Sequence, residues 1–213
     1  AMSPPRPDNT DPETGNLTAL ALVPRPLQEP HPPLWQVVDT ETSIEFAASQ
    51  GLNAMFWIPP TASLVPRLNT YRAAAARAGR TLAPGENVAV LRDMFVAETM
   101  DEAKRVAGQG LLRDLRWVCH YRGLSNHLYP DEALPETPGK LDALTYEWLH
   151  PRNMLFGTAD YVAEKIEEMR ETLGLQYLLV WSNFPGVPHD AVMDSIGRFT
   201  TEVMPRFTSR QAA

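Results

Sequence analysis

The sequence predicts an α/β protein built on a parallel β-sheet. Short apolar runs of strand type alternate with amphipathic helical segments four times along the chain, which is the pattern of βα units whose helices cover a parallel sheet. Hydrophobic residues make up 44% and charged residues 21% of the 213 residues, so the chain can bury a sizeable core. Open doubly wound sheets and barrels share these features, and both stay open at this point.

A proline-rich stretch precedes the first strand. Nine of the 20 prolines lie in the first 33 residues, and residues 1–16 have no apolar periodicity, so we expect them to be a flexible lead-in. Residues 17–23 (LTALALV) have the composition of a short extended segment. Between Pro24 and Pro33 each proline fixes its own φ and favours an extended residue before it, which predicts a stiff strap that enters a strand.

Two βα units follow the strap. Leu34–Val38 (LWQVV) predicts a buried strand, and the hydroxyl and acidic residues after it are typical of a helix start. That helix ends near Gly51. Asn53–Ile58 (NAMFWI) predicts the second strand, which Pro59 stops, and a helix that ends at Gly79 follows.

Two more βα units complete the pattern. Asn87–Ala97 gives the strongest strand signal. Thr99 caps a long helix from Met100 to about Val118, because Thr99 and Glu102 have capping-box spacing. Gln176–Trp181 predicts the fourth strand, and helices are predicted on either side of it, over residues 158–174 and 189–203.

Residues 123–156 interrupt this alternation. They contain several turn signals around a short helix at 140–149. A connection of this length is usually an active-site lid or a family-specific insertion. We therefore predict that the insertion near 123–156 is a lid over the mouth of a barrel and that, without ligand, it is more mobile than the strands.

Charge and cysteine content exclude several classes of protein. The formal net charge of −7 argues against nucleic-acid and anionic-membrane partners. A single cysteine excludes an internal disulfide framework and a multi-cysteine metal site, and fits a reducing compartment. No apolar run approaches the roughly 20 residues of a membrane span, and the N-terminal residues have no apolar signal core. The expected location is the cytoplasm.

The sequence has no common nucleotide-binding motif. Neither GxGxxG nor GxxxxGK[ST] follows any predicted strand, which disfavours nucleotide-binding Rossmann and P-loop proteins. A complete eight-unit barrel needs about 250 residues, and four units are half of one. An isolated half-barrel would leave two sheet edges and one core face open, which is unfavourable.

Five motifs, taken in order, resemble one known family. They are PRPLQEPHPPLWQVVDTETSIEFAASQGLNAMFWIP, RDMFVAET, GTADYVAEKI, PG at residues 185–186 and the closing FTTEVMPRF. Each is weak alone, but their order and spacing resemble the bacterial luciferase-like flavin-dependent monooxygenases over about residues 22–207. The resemblance implies a TIM (β/α)8 barrel, of which residues 17–207 form the C-terminal half with a tail at 208–213.

The resemblance also implies a function. The family binds reduced flavin (FMN) or, in some branches, the deazaflavin F420, and acts on a small organic substrate with O2, while a flavin reductase supplies the reduced flavin. The match in the turn after the first strand favours FMN. The first four βα units, which carry the family's catalytic histidine, have no counterpart here. The catalytic residues are therefore expected in the missing N-terminal half, and this chain alone is expected to be inactive.

These implications favour a C-terminal fragment or one half of a split enzyme. Its expected partner is the missing N-terminal half or a second copy of the chain. The alternative is a non-catalytic half-barrel module that binds flavin or a partner chain without turnover.

The best candidate cofactor residues lie where the first strand turns into its helix. Helix-start N–H groups and the hydroxyls of Thr40 and Ser43 can hold a phosphate, and the family resemblance implies that they bind the flavin phosphate. Helix capping explains the same two residues. Asp39 matches an acidic residue whose backbone faces the flavin, or it complements the helix dipole.

Trp57 is a candidate for contact with the flavin ring, and Arg92 is a buried charge that needs a partner. Trp57 ends the second strand at the edge where barrel sites assemble, and it resembles a tryptophan near the flavin ring; a core or rim aromatic is the alternative. Arg92 lies inside an apolar strand, where a charge needs a partner. We expect a structural ion pair with Asp93, Glu98 or a helix carboxylate.

The remaining candidates have weaker functional signals. Trp181 and Asn183 close the last strand and are predicted to line the substrate pocket, although loop hydrogen bonds also explain Asn183. His120 and His127 lack a metal-binding spacing, so no metal site is predicted. Cys119 is expected to be a buried small hydrophobic residue.

Overall fold

The computed structural model describes residues 10–16, 26–29 and 31–208. The predicted extended segment at 17–23, most of the predicted lead-in and nearly all of the predicted tail lie outside these residues. The chain divides into two compact units, Ala1–Leu34 and Trp35–Ala213. In the described part of the first unit, residues 12–14 form a turn.

The second unit contains the strands and helices, which alternate in chain order. They are β1 (Trp35–Val37), α1 (Glu41–Ser49), β2 (Asn53–Phe56), α2 (Thr61–Arg77), β3 (Val88–Val96), α3 (Met100–Arg122), a 3-10 turn (Ser125–His127), α4 (Tyr146–Asn153), β4 (Met154–Gly157), α5 (Ala159–Leu173), β5 (Tyr177–Trp181), α6 (His189–Arg198), a π-helical turn (Phe199–Val203) and α7 (Pro205–Thr208).

All five strands run parallel in one sheet, so the predicted fold class is confirmed. β1 pairs with β2, and β2 pairs with β3. β3 pairs with β5 along Ala89–Asp93 and with β4 along Asp93–Val96. Because Asp93 has a partner in each, β4 and β5 lie on opposite sides of β3, with β4 beyond the end of β2. Among the described residues, β1, β4 and β5 each pair with one strand only, so each leaves an open edge.

The four predicted strands are confirmed, but the first is not buried as predicted: Trp35 and Val37 of β1 are exposed, because nothing among the described residues covers their side of the sheet. The insertion also contains most of a fifth strand, β4, that the sequence analysis missed. Its four residues, MLFG, are too few to show a period of two. The predicted helix at 140–149 lies at Tyr146–Asn153 instead, because Thr145 is its N-cap: Thr145 Oγ1 accepts a hydrogen bond from the N–H of Trp148 at 3.2 Å.

Two helix ends also differ from expectation. α3 continues past Val118 to Arg122 and ends at Gly123, whose φ of 74° stops the helix. The predicted final helix over 189–203 is α6 followed by a π-helical turn. The longer α3 matters most, because it carries Arg122 to Asp39, just after β1.

The outer face of the sheet is covered by helices and forms the larger core. Side chains alternate between the two faces of a strand, and one set faces α1, α2 and α5. The buried members of this set include Ala54, Phe56, Val88, Val90 and Met94. They pack against buried helix residues such as Leu64, Tyr71, Val162 and Ile166.

The inner face of the sheet is covered only near the C-terminal ends of the strands. There, Phe95 of β3 and Phe156 of β4 pack beneath α3 and the segment after it, together with Leu111, Leu144 and Leu149. We call Met100–Asn153, which runs from α3 to α4, the roof. The lower part of the inner face is open.

Gly85 and Gly174 hold the loop before β3 against the end of α5. Both have positive φ, and a Cβ on Gly85 would lie 1.9 Å from the carbonyl oxygen of Gly174. We expect Gly85→Ala to lower the free energy of unfolding by about 3 kcal/mol or more, because it adds a backbone clash to the cost of positive φ. Gly79→Ala is the matched control: its φ is 81° with nothing within 4 Å, so about 1 kcal/mol is expected. Equal losses in urea unfolding would contradict this account.

Candidate functional site

Thr40 and Ser43 form a capping box at the start of α1. Thr40 Oγ1 accepts a hydrogen bond from the N–H of Ser43 at 3.3 Å, and Ser43 Oγ accepts one from the N–H of Thr40 at 3.1 Å. The hydroxyl oxygens are 3.3 Å apart. The structure therefore brings the two predicted residues together at the C-terminal end of β1. The N–H groups of Glu41 and Thr42, at the helix start, have no acceptor among the described residues and can face an anion.

Asp39 lies directly before this cap and faces basic side chains from two other helices. It forms ion pairs with Arg67 of α2 and Arg122 of α3. The sequence analysis missed both arginines. They lie 28 and 83 residues from Asp39, and no local pattern points to a contact over such separations.

Trp57, Asp93 and Trp181 lie near one another on the inner face, towards the C-terminal ends of their strands. Asp93 is the register partner of Trp181, so both side chains project to the same side. The Nε1 atom of Trp57 is buried without a hydrogen bond of ordinary geometry, yet its N–H lies near enough to Asp93 to lower the pKa of that carboxyl. The sequence analysis considered Asp93 only as a partner of Arg92.

Asp93 is a buried carboxyl with no ion pair among residues 31–208. Burial, with a smaller contribution from the carboxylate of Asp114 on α3, raises the pKa of Asp93 to about 7, while Arg92 and Trp57 oppose the rise. A carboxyl near half-protonation at neutral pH on the inner face is unusual for a purely structural residue.

The raised pKa of Asp93 predicts how the stability of the fold changes with pH. The pKa of Asp93 is higher in the folded chain than in the unfolded chain, so the folded state binds more protons between about pH 4 and pH 7. The carboxyl therefore lowers stability progressively as the pH rises through this window, by roughly 4 kcal/mol in total. We expect Asp93→Asn to be more stable than wild type by a few kcal/mol at pH 8 and nearly equal to it at pH 4.

The measurement is urea unfolding of both proteins across this pH range. The two free energies of unfolding have to be subtracted, because His127 also changes stability with pH. Burial lowers the pKa of His127 to about 4, which makes the stability of both proteins rise over part of the same pH range. Asp101→Asn, an exposed change on α3, should show no such trend. A pH-independent difference between wild type and Asp93→Asn would contradict the assignment.

Arg92 makes no ion-pair contact with Asp93 or Glu98 among the described residues, although a helix carboxylate, Glu168 of α5, lies near enough to oppose the lowering of the Arg92 pKa by burial. Arg92 projects to the outer face, because its side chain alternates with that of Asp93 along β3. It donates hydrogen bonds to the carbonyl oxygens of Trp57 at 3.2 Å and Pro59 at 2.8 Å, and Glu98 pairs with Arg198 at 2.6 Å instead. Arg92 therefore anchors the turn that follows β2 and positions Trp57.

The lower inner face exposes aromatic and apolar side chains. Trp35 is 37%, Val37 59%, Tyr177 51% and Trp181 53% exposed. The rings of Trp35 and Tyr177 meet edge to face with centroids 5.3 Å apart, so β1 and β5 curl towards each other. The indole N–H of Trp181 donates to the carbonyl oxygen of Asn183 at 2.8 Å, which places the two predicted pocket residues side by side on the same rim.

His127 and Cys119 are buried within the roof. The Cys119 sulfur lies 3.4 Å from His127 Nε2, and burial raises the pKa of Cys119 to about 11. The thiol is therefore not activated as a nucleophile, in keeping with the expected small hydrophobic residue. No group of three or more His, Cys, Asp or Glu residues in the described part of the chain could hold a metal ion.

Comparison with known proteins identifies the family of this chain. The sequence profile of the luciferase-like monooxygenases matches residues 7–176. The chain belongs to this family. Over 192 residues it is 27% identical to the uncharacterized protein y4wF of Sinorhizobium fredii, covering 89% of the chain and 53% of that protein. No helix among the described residues is long and apolar enough to span a membrane.

Solved structures of similar fold include proteins of different chemistry. The monooxygenase RslO1 from Streptomyces bottropensis superposes with a TM-score of 0.67 at 23% identity, covering 91% of this chain and 53% of that one. The oxygenating constituent of 3,6-diketocamphane monooxygenase from Pseudomonas putida, in complex with FMN, gives 0.63 at 22%, with coverages of 83% and 49%. The coenzyme F420 dependent tetrahydromethanopterin reductase from Methanopyrus kandleri gives 0.59 at 19%, with coverages of 83% and 51%. The chain thus spans about half the length of the relatives it matches.

Proposed function

We propose that this chain is the C-terminal half of a luciferase-like flavin-dependent monooxygenase, present as a fragment or as one half of a split enzyme. The complete barrel would use reduced flavin and O2 to oxidise a small organic substrate in the cytoplasm. The observation that carries the proposal is the parallel sheet with open edges at β1 and β5 and an exposed apolar inner face, in a chain half as long as its relatives.

The residues at the C-terminal ends of the strands fit a phosphorylated flavin. The hydroxyls of Thr40 and Ser43, which hydrogen-bond within the cap here, would turn to donate to the phosphate together with the N–H groups at the start of α1, and the arginines that pair with Asp39 lie nearby. Trp57 would lie beside the ring system. FMN is favoured over F420 by the residues of this turn, although structural neighbours use either cofactor.

Bound flavin would supply the electrons for oxygenation, and the chain's own residues would bind it and exclude water. The roof covers the place where barrel sites assemble. It is tied to the start of α2 by Ser63 Oγ, which donates to the carbonyl oxygen of Leu128 at 2.7 Å, and to the segment after β2 by Asn153, which donates to the carbonyl oxygen of Ile58. Trp181 and Asn183 would line the substrate entrance. Water exclusion protects reactive flavin chemistry from side reactions.

Two partners follow from this proposal. A flavin reductase would supply the reduced cofactor, and the first four βα units would pair with the open edges of β1 and β5. Those units would also supply the catalytic residues, since the described inner face offers Asp93 as its only buried carboxyl.

A reductase-coupled oxygen assay tests the proposed function. This chain alone should consume no O2 above the reductase background. The chain assembled with the first four βα units of its own source, encoded in the same reading frame or by a separate gene, should show substrate-dependent oxygen uptake. Flavin binding by the assembled barrel without any oxygen uptake, over a broad panel of small organic substrates, would favour the non-catalytic module.

A further inference from the structure

The last turns of α3 expose two aromatic rings on the outside of the roof. Trp117 is 67% and Tyr121 72% exposed, and their rings meet edge to face with centroids 5.6 Å apart. The ring of His120 packs edge to face on Tyr121. Residues three and four apart are neighbours on a helix surface, so two exposed arginines flank the rings. We call Arg113, Arg116, Trp117, His120 and Tyr121 the helix patch.

The helix patch has positive charge without an anionic partner. Arg113 and Arg116 are exposed, and neither forms an ion pair with a residue in the described part of the chain. Arg105 and Arg122, on the same helix, each pair with a carboxylate. Tryptophan, tyrosine and arginine are the residue types that contribute most to protein–protein interfaces. The helix patch therefore has the composition of a protein-binding surface.

A second surface of the roof has the opposite charge. We call residues 131–136 (DEALPE) the acidic segment. Asp131 and Glu136 are exposed and form no ion pair with any residue that the structure describes, and between them Leu134 is 51% exposed. The acidic segment therefore presents two free carboxylates around one apolar side chain, which complements the free cations and aromatic rings of the helix patch.

Glu132 anchors the acidic segment to the rest of the roof. Its carboxylate pairs with Arg152 and accepts a hydrogen bond from the N–H of Tyr129 at 2.8 Å. The Arg152 guanidinium in turn lies over the rings of Tyr129 and Trp148, at 5.0 and 4.2 Å from their centroids. An anchored segment loses less conformational entropy when it binds a partner, so the exposed side chains on either side of Glu132 are suited to docking.

We propose that the roof docks onto the roof of a second copy of this chain, with the helix patch of each copy against the acidic segment of the other. A two-fold arrangement of this kind makes every contact twice. A second copy fits better than nucleic acid or another polyanion, which the acidic segment and the net charge of −7 would repel. This inference does not depend on flavin binding or on the first four βα units.

The test exchanges the charges of the two surfaces. The helix variant, Arg113→Glu with Arg116→Glu, makes the helix patch acidic. The segment variant, Asp131→Lys with Glu136→Lys, makes the acidic segment basic. Each variant alone brings like charges together, whereas a mixture of the two restores opposite charges in both contacts. Both variants also carry Val37→Lys, which places a charge on the inner face and suppresses association there.

The indole N–H signal of Trp117 in the ¹⁵N-labelled helix variant is the readout of an NMR titration. Unlabelled segment variant should shift this signal saturably, with a dissociation constant on the order of 100 μM, because few side chains make the contact. Unlabelled helix variant should not shift it. Leu134→Ser in the segment variant should weaken the pairing at least about tenfold, because it removes the apolar side chain that the aromatic rings cover.

The matched control has the net charge of the helix variant but an unchanged helix patch. It carries Arg77→Glu with Arg206→Glu, two cations outside the roof that form only exposed ion pairs, so little stability is lost. Its mixture with the segment variant brings like charges together in one of the two contacts. It should therefore pair at least about tenfold more weakly than the helix variant does.

A single substitution repeats the test without charge reversal. In the chain that carries only Val37→Lys, the Trp117 signal should shift with protein concentration, and Leu134→Ser should remove most of that shift. The inference is overturned if the control pairs as well as the helix variant, since net charge alone would then explain the pairing, or if neither pairs. A Trp117 signal that responds to the first four βα units and not to a second copy would also reject it.

Discussion

In the assembled barrel, replacing Thr40 and Ser43 together by alanine should weaken FMN binding by at least about tenfold. Each hydroxyl that donates to a phosphate forms a charge-assisted hydrogen bond worth roughly 1.5–3 kcal/mol, and 1.4 kcal/mol is a factor of about ten in affinity. Fluorescence titration of the flavin measures the loss. The double variant also removes the capping box, so its effect has to be separated from damage to α1.

Two comparisons make that separation. Riboflavin lacks the phosphate, so wild type and double variant should bind it equally; a damaged helix start would weaken both ligands alike. Thr40→Asp keeps a good N-cap but places a negative charge beside the phosphate, so it should lower FMN affinity while the melting temperature stays near wild type. If FMN and riboflavin affinities fall together, Thr40 and Ser43 act only as caps.

The open inner face should drive association of the chain. Exposed apolar faces and unpaired parallel edges are rarely tolerated in monomers, so we expect the chain to occur paired with an N-terminal half or as a dimer. Val37→Lys places a charge on this face, where Val37 is exposed in the separate chain. Burying an unpaired charge costs several kcal/mol, so association should weaken at least about 100-fold.

Phe46→Lys is the matched control for this prediction. Phe46 is exposed to a similar degree, but it lies on α1, away from the inner face. Sedimentation equilibrium should show the same association for Phe46→Lys as for wild type. A wild-type chain that stays a monodisperse monomer at micromolar concentration and melts cooperatively would contradict the prediction.

The fold was largely predictable because its signals are local. Apolar runs such as Asn87–Ala97 and caps such as Thr99 determine where strands and helices begin, and the four βα units follow from them. β4 was missed because four residues carry too little periodicity. α4 was misplaced because the cap at Thr145 was not recognised.

The site was less predictable, because its contacts join distant residues. The proximity of Thr40 and Ser43 follows from their spacing at a helix start, which the sequence contains. The approach of Arg122 to Asp39 depends on the full length and direction of α3, which no local pattern specifies. The error at Arg92 has a simpler cause: neighbouring residues on a strand face opposite ways, so adjacency to Asp93 does not make an ion pair.

The most direct test of the half-barrel account is FMN binding by this chain with and without the first four βα units from the same source. Equilibrium dialysis against FMN measures both. The account predicts that the chain alone binds FMN at least about 100-fold more weakly than the assembled pair, because the missing units would supply the rest of the phosphate and ring contacts. Equal affinity of the chain alone, or no binding by a pair that has assembled, would contradict it.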